Sequence, residues 1–245
     1  MKCVLFAVYL MTGFFSPVTA SAQAAGEDSS LYQAALSHTL AVYFNQVGDQ
    51  SQLYNGRLYN DFTFSFTSGS PYFLSNNFND GTVAYDNIQY NGVPLLYDDL
   101  RQQLITRDQG YWLQLVSERI RAFTLLDHHF IRMDPDSLSK SPVRTGFYEQ
   151  LYSGNSEVLK RKIKNIKEEL STAEGVLWSI VETSDYFIKT RDGYHKVKSK
   201  NEFLAVLKSH RKEIHQFIKR NKLKYRKDKE NTLVRVAAYY DQITK

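Results

Sequence analysis

Cysteine is almost missing: Cys3 is the only one in 245 residues. It lies in an N-terminal segment that reads as cleavable. The mature chain is therefore expected to hold no disulfide, no thiol nucleophile and no cysteine-bound metal. Long apolar runs are missing as well. No internal stretch reaches the roughly 18 apolar residues of a spanning helix, which excludes a multi-span membrane protein. Proline stops at Pro142 and glycine at Gly193, so the C-terminal stretch contains neither helix breaker. There is no Gly-x-Ser-x-Gly elbow, no phosphate-binding glycine loop and no dinucleotide fingerprint.

What is present can fold. The chain is 42% hydrophobic and 14% aromatic, which excludes global disorder. Residues 1–24 have the form of a signal peptide. Lys2 opens it, Val4–Phe15 is mostly apolar, and Pro17 breaks the run. Ala20-Ser21-Ala22 and Ala22-Gln23-Ala24 then offer small-x-small cleavage sites. No cysteine follows for lipid attachment. Export into the periplasm or to the outer-membrane periphery is the expectation, with no transmembrane span after cleavage.

Charge divides what remains. Residues 25–140 hold 7 Lys+Arg against 13 Asp+Glu, and residues 141–245 hold 23 against 13. Asp28–Val47 has the apolar stripe of a helix, through Leu36, Leu40, Tyr43, Phe44 and Val47. The middle reads as antiparallel β. Phe62, Phe64 and Phe66 alternate with Thr63, Ser65 and Thr67, which predicts a strand with one buried face. Asp80-Gly81, Asn91-Gly92 and Asp192-Gly193 are read as turns, with Ser153-Gly154 as a weaker case. Further strands are expected at Thr82–Tyr85, Ile88–Tyr90, Val93–Tyr97, Gln103–Thr106, Tyr111–Val116, Arg121–Leu125, His129–Arg132, Phe147–Tyr152, Glu157–Ile166, within Val176–Thr190 and at Tyr194–Lys198. Three helical signals close the chain. Ser199 heads a capping-box pattern. Ile214, Phe217 and Ile218 give the second helix its apolar face. Asp228 caps a third with the stripe Leu233, Val236, Ala237, Tyr240 and Ile243.

Few constellations suggest chemistry. Asp127-His128-His129 resembles a metal triplet, but adjacent strand residues point to opposite faces and no further ligands stand at workable spacing. His210 and His215 are five apart, not the four of a zinc-protease helix. No metal and no cofactor is expected. Glu118, Glu149 and Glu182 could converge as an acid–base pair. Tyr54, Tyr59, Tyr85, Tyr90 and Tyr97 could form an aromatic platform for a glycan or peptide. They are also ordinary core residues, and both readings stay open here. Lys189–Lys229 carries fifteen Lys+Arg and four acids. Export argues against nucleic acid. Lys212, Lys219, Lys222 and Arg226 are expected to stay wet and face an anionic lipid surface, with a solvated helix face as the alternative.

The runs Leu53-Tyr54-Asn55-Gly56-Arg57-Leu58-Tyr59, Gly81-Thr82-Val83-Ala84-Tyr85-Asp86, Val93-Pro94-Leu95-Leu96-Tyr97-Asp98 and Phe147–Gly154, with the tail's Tyr239-Tyr240-Asp241, resemble a group of uncharacterised exported proteins of Bacteroidota. The resemblance implies an envelope location and no particular activity. The expected fold class is α+β, in three parts. A signal peptide at 1–24 precedes a helix with an antiparallel meander, half-barrel or sandwich-like, at 25–198. A basic helical tail at 199–245 packs on it. The expected function is non-catalytic binding in the envelope, with a hydrolase acting on an envelope polymer as the alternative.

Overall fold

The computed structural model describes residues 52–135, 141–173 and 175–244, all within the compact unit Phe44–Lys245. The signal segment and the Asp28–Val47 helix expected from sequence lie outside the described residues.

One antiparallel sheet of eleven strands dominates. Its members are β1 (Arg57–Leu58), β2 (Asn79–Tyr85), β3 (Ile88–Asp98), β4 (Gln103–Asp108), β5 (Tyr111–Gln114), β6 (Ile120–Leu125), β7 (His128–Met133), β8 (Gly146–Ser153), β9 (Glu157–Ser171), β10 (Gly175–Thr190) and β11 (Gly193–Lys196). The spatial order is β1-β5-β4-β3-β2-β6-β7-β8-β9-β10-β11. Chain neighbours are thus sheet neighbours except at two places: β1 pairs with β5, and the chain returns after β5 to lay β6 beside β2. Arg119 holds that return, bonding Asp86 through Nε at 2.9 Å.

Tight turns explain most of the meander. Asp86-Asn87 (φ 49° and 64°), Gln109-Gly110 (46° and 88°) and Leu126-Asp127 (51° and 63°) each place two successive residues in the left-handed region. That conformation gives hairpins a twist matching their strands. Asp80-Gly81 and Asn91-Gly92, read as turns from sequence, lie inside β2 and β3. Gly81 pairs with Val93 and Thr82 with Asn91, so Gly92 (φ 64°) is left over as a bulge. The Asn-Gly signal marks a left-handed residue, and a bulge needs one as much as a turn does. Ile88–Tyr90 and Val93–Tyr97 are consequently one strand.

The larger core lies on one face of the sheet. Val83, Tyr85, Leu95, Tyr97, Phe123, Phe130 and Phe147 are all buried in it. Phe123 and Phe130 stack with ring centroids 4.6 Å apart. The opposite face of β3 and β4 is covered as well, because Tyr59 and Tyr72 pack on Leu96 and Ile105. Residues 59–78 therefore run back across the sheet as a strap. Phe62, Phe64 and Phe66 sit in this strap, not in a strand. Their alternation is real, since the three rings touch one another while Thr63, Ser65 and Thr67 are exposed. The rings are only half-buried, with Phe64 stacked on Trp178 at 4.6 Å. The strap's backbone meets β10, where Thr67 N donates to Trp178 O at 2.8 Å and Ile180 N to Ser68 O at 2.9 Å.

Three helices finish the chain: α1 (Lys200–Val206), α2 (Arg211–Arg220) and α3 (Lys229–Ile243). Ser199 caps α1, accepting from Glu202 N at 3.2 Å. Asp228 caps α3, accepting from Asn231 N at 3.2 Å. Their apolar faces join Phe203, Leu204, Ile214, Ile218, Leu233 and Val236 to Val158, Tyr186 and Ile188 of the sheet. Asp241 pins the end of α3, accepting from Ser156 N at 2.9 Å and from the Tyr152 hydroxyl at 3.0 Å. Gly154 packs closely at this junction. A Cβ there would press on the Asp241 carboxylate and the Tyr152 hydroxyl.

Candidate anion-binding cleft

α2 ends where the chain must turn sharply. Leu223 N donates to Ile218 O at 3.0 Å and Lys222 N to Lys219 O at 3.1 Å, with Lys222 left-handed at φ 52°. This is the helix-ending motif in which glycine is the usual left-handed residue. Lysine occupies that position here. The turn sends Leu223–Lys227 back beside the start of α1, and a cleft of about 690 Å³ opens between Lys198–Asn201 on one wall and Leu223–Lys227 on the other. A shallower hollow of about 380 Å³ adjoins it, lined by Lys200, His215, Ile218, Lys219, Lys222, Leu223 and Lys224.

Cations dominate both linings. The deeper cleft has Lys198, Lys200, Lys224, Arg226 and Lys227, and no carboxylate lines either space. The nearest acids in the chain are engaged in capping. Glu202 accepts from Lys198 N at 2.9 Å, and both Asp228 oxygens bond Asn231. The cleft also has an apolar element in Tyr225, which is 9% exposed and stacks on Phe203. Burial, with Glu202 adding to it, pushes the Tyr225 phenol up to about 12, so it is a neutral donor at ordinary pH. Its buried hydroxyl has no hydrogen-bond partner among the described residues. Lys229 extends under this region, with Nζ 5.7 Å from the Tyr225 ring centre and 4.1 Å from that of Tyr186. Burial holds its ammonium below the usual lysine range.

The basic residues singled out from sequence divide here. Lys212, Lys219, Lys222 and Arg226 are all exposed. Arg226 lines the deeper cleft and Lys219 and Lys222 the hollow, whereas Lys212 lines neither. Sequence reasoning missed Lys198, Lys200, Lys224 and Lys227. The capping box at Ser199 marks where one wall begins, but no local signal places the other wall beside it.

The tyrosines do not form a platform. Tyr85, Tyr90 and Tyr97 are buried in the larger core and Tyr54 packs against it. Tyr59 lies on the opposite face, donating to Asp98 Oδ2 at 2.8 Å. Alternating strand positions turn Tyr85, Tyr90 and Tyr97 toward the core, while Tyr54 sits in the short turn Gln52–Tyr54 and is only partly buried.

Of the acids that could have met as a catalytic pair, Glu149 and Glu182 are engaged with a cation or a histidine, whereas Glu118 lies exposed in the turn Ser117–Arg119 that precedes β6. Glu149 lies 2.6 Å from His128 Nδ1 and 3.2 Å from Lys160 Nζ, and Lys160 continues to Glu230 at 2.8 Å. Burial would lower the Lys160 ammonium, but Glu230 and Glu149 hold it above its usual value. Asp99 is 2.6 Å from Lys164, with both side chains almost fully buried. Burial lifts the Asp99 carboxyl to about 6 against the pull of Lys164. The space between Phe73, Tyr97, Glu149 and Lys160 is about 10 Å³, enough for one small solvent molecule. Glu182 is far more exposed and pairs with Lys162 at 3.4 Å. The two neighbouring histidines diverge as strand geometry requires, His128 to Glu149 and His129 to Thr124 at 3.3 Å. Among the described residues no cluster of three potential metal ligands occurs, and no helix is long and apolar enough to cross a membrane.

No family model, curated protein or solved structure matches this chain. Its functional reading therefore rests on the geometry just described.

Proposed function

We propose that this is an exported cell-envelope protein that works by binding rather than by catalysis. In this reading residues 1–24 are removed on export to the periplasm or outer-membrane periphery, consistent with the likeness to exported Bacteroidota proteins. The meander, curled toward a half-barrel by the strap that ties Ser68 to β10, is a scaffold. The basic helical tail is the contact surface for an anionic partner in the envelope. The observation that carries this reading is the pair of adjoining hollows lined by seven lysines and arginines and no carboxylate. A clustered field of one sign raises association with an opposite charge while adding little to folding. The paired and buried state of Asp99 and Glu149 weighs against a hydrolase, since neither acid faces a space that could admit a polymer.

The test is sedimentation with anionic vesicles. Each basic residue near a charged membrane contributes roughly 1 kcal/mol, and the attraction decays over about 8 Å at physiological salt. The protein should sediment with anionic vesicles at low salt and release as salt rises. Changing Lys219, Lys222 and Arg226 to Gln should reduce binding without unfolding. Equal sedimentation with neutral and anionic vesicles would overturn the reading.

A further inference from the structure

We infer that the deeper cleft is a discrete site for a multiply phosphorylated small ligand or headgroup, and not merely part of a diffuse basic surface. The inference rests on the anionic-contact reading above and goes further by naming the ligand class. At about 690 Å³ the cleft has the volume of a small-molecule site, and it has two walls supplied by different parts of the chain. A flat basic face would offer lysines from one helix only. Here Lys198 and Lys200 stand across from Lys224, Arg226 and Lys227.

The chemistry narrows the class. Five cations line one cleft, and the carboxylates of Glu202 and Asp228 are committed to the caps beside it. A single phosphate, at most doubly charged, would leave most of that charge unanswered. Two or more phosphates on one small frame would meet both walls together. Arginine supplies a forked donor for phosphate oxygens and lysine a compact charge. Ser199 and Asn201 add neutral hydrogen-bonding groups, and Tyr225 and Leu223 an apolar contact for the frame. A neutral glycan would leave the cations unmatched. The clustered phosphate is the chemistry shared by the two sources of such a ligand, a soluble molecule and a lipid headgroup.

The experiment is calorimetric titration of the full chain with inositol hexakisphosphate and, separately, with inorganic phosphate. Saturable binding of the hexakisphosphate is expected, at least about tenfold tighter than inorganic phosphate because several charge-assisted bonds form at once. Lys200→Gln and Lys224→Gln should each weaken it by about tenfold, whereas Lys212→Gln, outside the cleft, should leave it unchanged. All three positions are on the surface, and thermal melts confirm that the variants fold. Vesicles containing phosphatidylinositol bisphosphate, whose headgroup carries clustered phosphates, identify the source. Displacement of the hexakisphosphate supports a headgroup ligand, and saturable hexakisphosphate binding without displacement supports a soluble one. If anionic vesicles bind but the hexakisphosphate does not, the surface reading survives and the cleft site is overturned. If Lys212→Gln weakens binding as much as Lys200→Gln, the attraction is diffuse and the site is likewise overturned.

Discussion

Lysine does two different jobs in the two halves of this molecule. In the sheet Lys164 is buried against Asp99, and the half-buried Lys160 bridges Glu149 and Glu230. In the tail Lys198, Lys219, Lys222, Lys224 and Lys227 stand exposed around hollows without a carboxylate. The first arrangement is costly to break and does little for recognition. The second costs little to lose and leaves its charge available to a partner. Buried charges are bound to the fold, and exposed ones are free for function.

The sharpest way to break that contrast is to remove one buried partner. Lys164→Met should cost about 3–5 kcal/mol in chemical denaturation, because Asp99 loses its counter-ion and the carbonyls of Ser70 and Tyr72 lose their donor. The cost should depend on pH. The Asp99 carboxyl titrates at about 6 in the folded chain against 3.8 when unperturbed, so the folded state holds its proton more tightly. The favourable contribution of that proton is full below 3.8 and is lost as pH rises through about 6. Without Lys164 the carboxyl should titrate higher still, making the variant's deficit larger at pH 7.5 than at pH 4.5. Equal deficits at both values would mean that the pair is not coupled.

Next in size is the strap. Phe64→Ala should cost about 1–3 kcal/mol, less than the 3–5 kcal/mol of a fully buried phenylalanine, because the ring is half-buried against Trp178. Thr63→Ala, exposed on the other side, should stay within about 0.5 kcal/mol. Urea melts of the two variants compare them directly.

At the small end lies Lys222→Gly, which separates folding from binding at one residue. Glycine suits the left-handed position that lysine occupies under strain, so the variant should be more stable by up to about 1 kcal/mol. It also removes a cation from the hollow and should weaken vesicle binding. A variant that gains stability and keeps full binding would detach Lys222 from the proposed contact.

Much of the scaffold is legible in the sequence because strands and helices are written locally. Period-two runs mark most of β2–β11, and the apolar stripes and caps at Ser199 and Asp228 mark α1 and α3. What escapes depends on partners far away in the chain. Asp86-Asn87 and Leu126-Asp127 are turns without glycine, imposed by the pairing of their flanking strands. The Phe62–Phe66 alternation is the signature of a strand, yet its backbone joins β10 just past the run, at Thr67 and Ser68, so the segment becomes a strap. The cleft needs two walls whose approach is set by the turn at Lys222 and by the shared packing of Phe203 and Tyr225. No motif marks that approach. Composition revealed the excess of basic charge but not the shape that collects it.

The strap also bears on how the chain reaches its native state. From β6 to β11 every pairing is between strands adjacent in sequence, so those hairpins close short loops. The contact of Thr67 with Trp178 joins residues 111 positions apart. Loop closure over that distance carries a larger entropic penalty, and contacts of that kind slow folding. The meander is therefore expected to assemble before the strap locks across it. Trp178, stacked on Phe64, provides the reporter: in stopped-flow refolding its fluorescence should reach the native value after far-ultraviolet circular dichroism has recorded the sheet.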